Sequence, residues 1–248
     1  MLGLGGGSSP LITNMHNQGS MLFNGSDESV NIDAIAGQFN GNTFSASMWC
    51  QVATTSTSGF LFRIMVGTDT DNQILVQYHA SGNEIRANSK FGGTADVLNQ
   101  GSNSVENDGL WHHVVFILDK TGDNKTYLYV DNSLKEEIAG VGTLSGAFSK
   151  MSIGQNTADG SFWKGSIDEV AFWSRAITPS EVALIYGGGS SGGGGSSQGI
   201  DLAGQLGKNL VGYFRFEEKG GTVAANSGTG GYDDGTYVNT PTFQSIHS

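Results

Sequence analysis

The chain has 248 residues, of which 39 are glycine, 14% are charged and 37% are hydrophobic, and its formal net charge is -11. That length buries a full core in one large domain, the lack of a strict glycine triplet excludes collagen, and an acidic chain with no Lys/Arg cluster is not expected to bind nucleic acid. No apolar run of about 18 residues is present, so membrane insertion is not expected, and the start Met-Leu-Gly-Leu-Gly-Gly-Gly-Ser-Ser-Pro lacks the cationic and apolar stretches of a secretory signal.

Residues 1–18 are rich in glycine, serine and polar side chains and read as an N-terminal arm. From Gly19 onward short β-rich runs begin, at Ser20–Phe23, Ser29–Ile32, Thr43–Val52, Gly59–Val66, Gln73–His79 and Glu84–Asn88. Turn chemistry bounds them, as in Asn24-Gly25, Asn40-Gly41 and Ser81-Gly82-Asn83. The single cysteine, Cys50, lies in an apolar run beside Trp49 and reads as a packed thiol. Further strands follow at Trp111–Leu118, Thr126–Val130 and Met151–Ile153. His112 and His113 are neighbours on one strand and point to opposite faces, so they do not suit a shared metal ion. Between Gly165 and Tyr186 the apolar period changes from 2 to about 3.6, giving a strand, a turn and a short helix. Thr178, Pro179 and Glu181 form the capping box of that helix, and Gly187 ends it.

Gly187–Ser197 is glycine and serine alone, a coil with a root-mean-square span of about 18 Å, and a linker is expected over 187–209. Residues 210–248 then read as a β-hairpin. Strict alternation would put Leu210, Gly212, Phe214 and Phe216 on one face, with Val211, Tyr213, Arg215 and Glu217 on the other.

Three passages carry a family resemblance. Phe23-Asn24-Gly25 with the strand to Ile32 is similar to an early Phe-Asp-Gly turn, with Asn24 in the aspartate position. Asp108-Gly109-Leu110-Trp111-His112-His113-Val114-Val115 and Tyr127-Leu128-Tyr129-Val130-Asp131-Asn132 are similar to a Trp-His-His-Val strand and its hairpin partner. Ile153-Gly154 and the run Gly165–Tyr186 complete the set. Together they resemble the laminin-G-like, concanavalin A-like jelly roll over residues 19–186. The resemblance implies an all-β, two-sheet antiparallel sandwich with one short helix. Members usually open with a strand of the form Leu-Val-Ala-Tyr-Trp-Arg-Phe. Here Leu210-Val211-Gly212-Tyr213-Phe214-Arg215-Phe216 stands near the other end, so the first hairpin is displaced to the C-terminus. Three arrangements follow: it completes its own sheet, it adds to a neighbouring subunit's sheet, or it is a truncated second repeat.

Catalysis is not expected, because a glycosidase needs two acids alternating along a strand and Ser166 occupies the place of a partner to Asp168. The resemblance implies calcium as a structural ion, with Asp168, Asn226 and Asp234 as ligands, although Asn226 stands where the family usually has aspartate. Trp163, in Ser161-Phe162-Trp163-Lys164, is the best sugar-stacking candidate, and Phe162 is assigned to the core. The expected function is a non-catalytic virion structural protein, a capsid decoration or tail component of a bacteriophage. Its partners would be other virion proteins, copies of itself or a cell-surface glycan. The alternative is an extracellular, calcium-dependent carbohydrate-binding or adhesion module.

Overall fold

A computed structural model describes residues 19–54, 57–99, 108–140, 142–156, 160–188 and 201–245. The expected N-terminal arm, 1–18, and most of the Gly/Ser tether lie outside them. The elements in chain order are β1 (Gly19–Asn24), β2 (Ser29–Asn31), α1 (Asp33–Ala36), β3 (Thr43–Val52), β4 (Gly59–Val66), β5 (Asp69–His79), β6 (Glu84–Phe91), β7 (Thr94–Asn99), β8 (Trp111–Asp119) and β9 (Lys125–Val130). They continue as β10 (Ser133–Ala139), β11 (Lys150–Ile153), β12 (Lys164–Trp173), α2 (Pro179–Gly188), α3 (Leu202–Leu206), β13 (Leu210–Phe214), β14 (Val223–Ala224), β15 (Gly235–Val238) and β16 (Thr242–Ser245).

The strands form two antiparallel sheets packed face to face. One runs β10-β9-β8-β3-β12-β1-β16, with β13 also paired to β12, and the other runs β14-β15-β2-β11-β4-β5-β6-β7. Inward side chains from both make one core, in which the rings of Phe44, Phe62 and Phe172 lie with centroids 5.3–6.1 Å apart. Truncating any of these to alanine would cost about 3–5 kcal/mol.

The first sheet is covered on its outer face as well. Val115, Ile117, Ala171 and Trp173 pack there against Val182 and Ile185 of α2 and against Leu202 and Leu206 of α3. Burial on both sides explains why β12 is almost uniformly buried rather than alternating. The capping box forms as expected: Thr178 N–H donates to Glu181 Oε2 at 2.7 Å, and Glu181 N–H donates to Thr178 Oγ1 at 3.3 Å. Arg175 fixes that turn with a bidentate pair to Glu181, at 2.9 and 2.7 Å. The stretch expected as linker to 209 contains α3, whose first turn is capped by Asp201 and whose leucines are buried; Trp173 Nε1 donates to Leu206 O at 2.9 Å.

The displaced hairpin closes the sandwich of its own chain. Along one edge of β12, residues Lys164–Ile167 pair with β1 and residues Val170–Trp173 pair with β13. β15 joins the other sheet beside β2, with Thr236 opposite Asn31. The strict alternation expected for β13 is broken, because the register shifts between Phe172 and Trp173. That bulge sends Leu210 to the outer cluster and Val211 into the core, the reverse of their expected faces.

A second bulge in β12, between Asp168 and Ala171, separates the β1 segment from the β13 segment. Glu169 sits in it with φ at 50°, an unfavourable conformation for a residue bearing Cβ. Its carboxylate accepts a hydrogen bond from the Tyr213 hydroxyl and another from Arg215 Nε at 3.3 Å. The strain, of order 1–3 kcal/mol, is offset by these charge-assisted bonds to the strand it must hold. Burial pushes the Glu169 carboxyl up from 4.5 to about 7, with Arg215 and Tyr213 opposing the rise. Between those two pH values the folded chain keeps a proton that the unfolded chain has released, so this group's contribution to stability falls as pH rises through that window.

Thermal melts should therefore show a larger loss of Tm from pH 5 to pH 7 in the parent than in Glu169→Gln, within the window from 4.5 to about 7. Parallel pH profiles for the two proteins would contradict the assignment. Tyr213→Phe, which leaves the buried Glu169 Oε2 without that donor, is expected to lower stability by about 1–3 kcal/mol in chemical denaturation.

Candidate functional site

The structure places the residues expected to form sites in three different roles. Trp163 is 1% exposed and its ring belongs to the core, so neither face is open to a sugar. The isolated bridge between Gln155 and Phe162 sets the local alternation, turning Phe162 partly outward and Trp163 in. The assignments of the two neighbours are thus exchanged.

Asn226 and Asp234 do come together, but as a clamp. Asn226 Oδ1 accepts from Tyr213 N–H and Gly228 N–H, both at 2.9 Å, and its Nδ2 donates to Val211 O and Asp233 O, both at 3.1 Å. All four hydrogen-bonding positions of the amide are used. Asp234 Oδ1 accepts from Asn226 N–H at 2.8 Å. Asp168 lies fully buried on β12, where its Oδ1 accepts the N–H of Glu169 at 2.9 Å. A calcium ion would have to take an oxygen from Asn226 that already serves two backbone donors, so this donor set does not fit the ion. Among the described residues no group of three or more His, Cys, Asp or Glu is placed to hold a metal.

The two histidines point to opposite faces, as their strand position requires. His113 is fully buried, 2.8 Å from Ser47 Oγ and packed on Trp49, and burial lowers it to about 4. His112 lies at the other face between Asp131, at 2.8 Å from Nδ1, and Asp108, at 3.3 Å from Nε2. Burial works against its charge, yet the two carboxylates win and hold it above its usual value.

A concave site lies elsewhere, on the outer face of the first sheet. The helices cover that face around β12 and β13 but leave a cleft of about 270 Å³ at the β8–β9 end. Strand alternation builds its floor: Leu128 and Val130 face the core, so Tyr127 and Tyr129 face outward, with Ile117 opposite Tyr127. One wall is the segment Ala176–Pro179 that leads into α2; the other is the β8–β9 turn, with Asp119 and Asp123. Asp119 Oδ1 accepts Gly122 N–H at 2.7 Å, Asp123 Oδ1 accepts Lys125 N–H at 3.1 Å, and the Tyr127 hydroxyl donates to Asp123 Oδ2. These bonds fix both carboxylates on the rim.

Tyr129 is 8% exposed, and its hydroxyl makes no hydrogen bond to any described residue. The hydroxyl oxygen is not among the buried polar atoms without a partner, so it meets solvent at the cleft and is available to a ligand. An aromatic floor, an open hydroxyl and two acceptors suit a small polyhydroxylated ligand, and the volume, just below the usual range for ligand pockets, takes about one saccharide unit. The outward pair Tyr127 and Tyr129 was visible in sequence as alternation; its pairing with Ala176–Pro179 depends on tertiary packing.

A family model described as concanavalin A-like lectin/glucanases superfamily matches residues 24–183. No curated protein matches the chain by sequence. Among solved structures, the chain is similar to a candidate carbohydrate binding protein from Bacteroides ovatus, with TM-score 0.64 and 15% identity, covering 94% of this chain and 61% of that one. It thus spans less than two thirds of that protein. It is also similar to the CBM40 of the Ruminococcus gnavus IT-sialidase bound to α2,3-sialyllactose, with TM-score 0.55, 11% identity and coverage of 68% and 99%. Domains LG4-5 of the mouse laminin α1 chain give TM-score 0.50, 16% identity and coverage of 65% and 44%. With the match at 24–183 covering well over half of its 248 residues, the chain belongs to the concanavalin A-like lectin/glucanase superfamily.

Proposed function

We propose that the chain is a non-catalytic carbohydrate-recognition module that holds one saccharide unit in the cleft between β8, β9 and the start of α2. The observation that carries this reading is the cleft itself: outward Tyr127 and Tyr129, a Tyr129 hydroxyl that bonds no described residue, and the rim carboxylates of Asp119 and Asp123. Tyrosine rings pack against the C–H faces of a sugar, and fixed carboxylates accept from its hydroxyls. The similar structures from Bacteroides ovatus and Ruminococcus gnavus support the reading through fold alone, at 15% and 11% identity.

A single unit in a cleft of this size binds weakly, in the millimolar to high-micromolar range, so useful attachment requires several copies. That need is compatible with display on a virion or with an extracellular module. The virion reading, with capsid or tail partners, rests on sequence features alone, and its N-terminal motif lies outside the described residues. Glycan recognition therefore stands first and particle attachment second.

Glycan-array screening followed by calorimetry should find saccharide binding that Tyr127→Ala weakens by about tenfold, the value of one aromatic contact. Tyr129→Phe should weaken it by about fivefold through loss of the hydroxyl alone. Full affinity in Tyr127→Ala would place the ligand elsewhere. Since the amide of Asn226 is saturated, adding calcium or EDTA is expected to leave Tm and binding unchanged; a clear rise in Tm with calcium would show that those donors rearrange around the ion.

A further inference from the structure

The cleft has a sign as well as a shape. Asp119 and Asp123 line it, and among the described residues no Lys or Arg does. The cations nearest in sequence are engaged outside it. Lys120 donates to Gly142 O and lies over the Phe91 ring at 5.1 Å. Lys125 pairs with Glu137 at 2.6 Å, and Arg175 with Glu181 at 2.7 Å. Burial first, then its own hydrogen bond to Asp123 and the charges of Asp123 and Glu137, hold Tyr127 above its usual value, and burial followed by Glu137 does so for Tyr129.

Resting on the carbohydrate-binding reading above, we propose that the cleft selects a saccharide unit bearing a protonated amine, held between Asp119 and Asp123 with a ring hydroxyl on Tyr129, and rejects carboxylated or sulfated units. Tyr127 and Tyr129 supply the apolar face, which an amino sugar shares with its neutral and N-acetylated counterparts. The carboxylates supply the difference. A half-exposed ion pair is worth up to about fivefold in affinity, and two acting together about tenfold. A carboxylated sugar would instead face two fixed negative charges and no compensating cation. The cleft is thus opposite in preference to a sialoside site, whatever the shared fold.

Titration calorimetry with the whole chain tests this, using chitosan tetramer, its fully N-acetylated counterpart and 3′-sialyllactose at about pH 5.5, where the amine is charged. The expected result is about tenfold tighter binding of chitosan tetramer than of the acetylated tetramer, with sialyllactose weakest. In Asp119→Asn/Asp123→Asn the preference should fall to twofold or less, roughly, while the variant melts where the parent does. In the parent, about 0.5 M NaCl should remove the same preference, a readout that needs no variant. Equal or tighter binding of the acetylated tetramer, still sensitive to Tyr127→Ala, would overturn the amine selectivity and leave carbohydrate recognition standing. A preference that survives in the double variant would overturn it too, assigning it to the overall charge of -11. If none of the three sugars binds and the array is blank, carbohydrate recognition itself fails and the selectivity falls with it.

Discussion

Strand β12 pairs with β3 on one side over most of its length, from Gly165 to Trp173, and on its other side meets two different strands in tandem. β1 takes Lys164–Ile167 and β13 takes Val170–Trp173. Two strands cannot share one straight edge without a junction, and the Asp168–Glu169 bulge is that junction. It twists the strand locally and turns the Glu169 carboxylate toward Tyr213 and Arg215 of the incoming segment. At the N-terminal end of the same strand, Gly165 has φ of 137°, and a Cβ there would lie 2.0 Å from Gln51 O. The close approach of β12 to β3 is therefore open only to glycine. The C-terminal segment that docks at this junction also gives β15 to the opposite sheet and β16 to the edge of β1. Both halves of the core depend on it.

The covalent geometry favours closure within the chain. Covalent linkage to the rest of the chain keeps the segment at an effective concentration of order millimolar, well above that of a second chain in ordinary solution. Docking of α3 on the outer face adds Leu202 and Leu206 to the same anchorage. The price of that anchorage is a largely covered sheet face, in which the cleft beside Tyr127 and Tyr129 is an opening.

Much of the fold could be read from the residues. Alternation and turn chemistry located most of the longer strands, and Thr178 and Glu181 announced the helix by their spacing. The elements that escaped were of two kinds. Edge strands such as β10, Ser-Leu-Lys-Glu-Glu-Ile-Ala, are exposed and charged, so they carry little apolar period. α1 and α3 are shorter than the window in which a helical period becomes visible. The faces of Leu210 and Val211 were misread because a bulge leaves no mark in an apolar run. The site was less legible still. Trp163 stood out by residue type, yet its neighbour took the outward position; Asn226, matched to a calcium ligand by resemblance, is used up as a clamp. Tyr127 and Tyr129 were in view as strand residues, but a cleft also needs a second wall, and Ala176–Pro179 arrives some fifty residues later only through packing of α2.

The central claim, that residues 201–245 close both sheets of their own chain, is open to a direct chemical test. Asn31 and Thr236 are exposed and lie opposite one another where β2 meets β15. Oxidation of a chain carrying Asn31→Cys and Thr236→Cys, read by mass and by non-reducing electrophoresis at low protein concentration, is predicted to give a monomer with one internal disulfide. A covalent dimer linked through those two positions would contradict the account, because it would place the segment in a neighbouring chain.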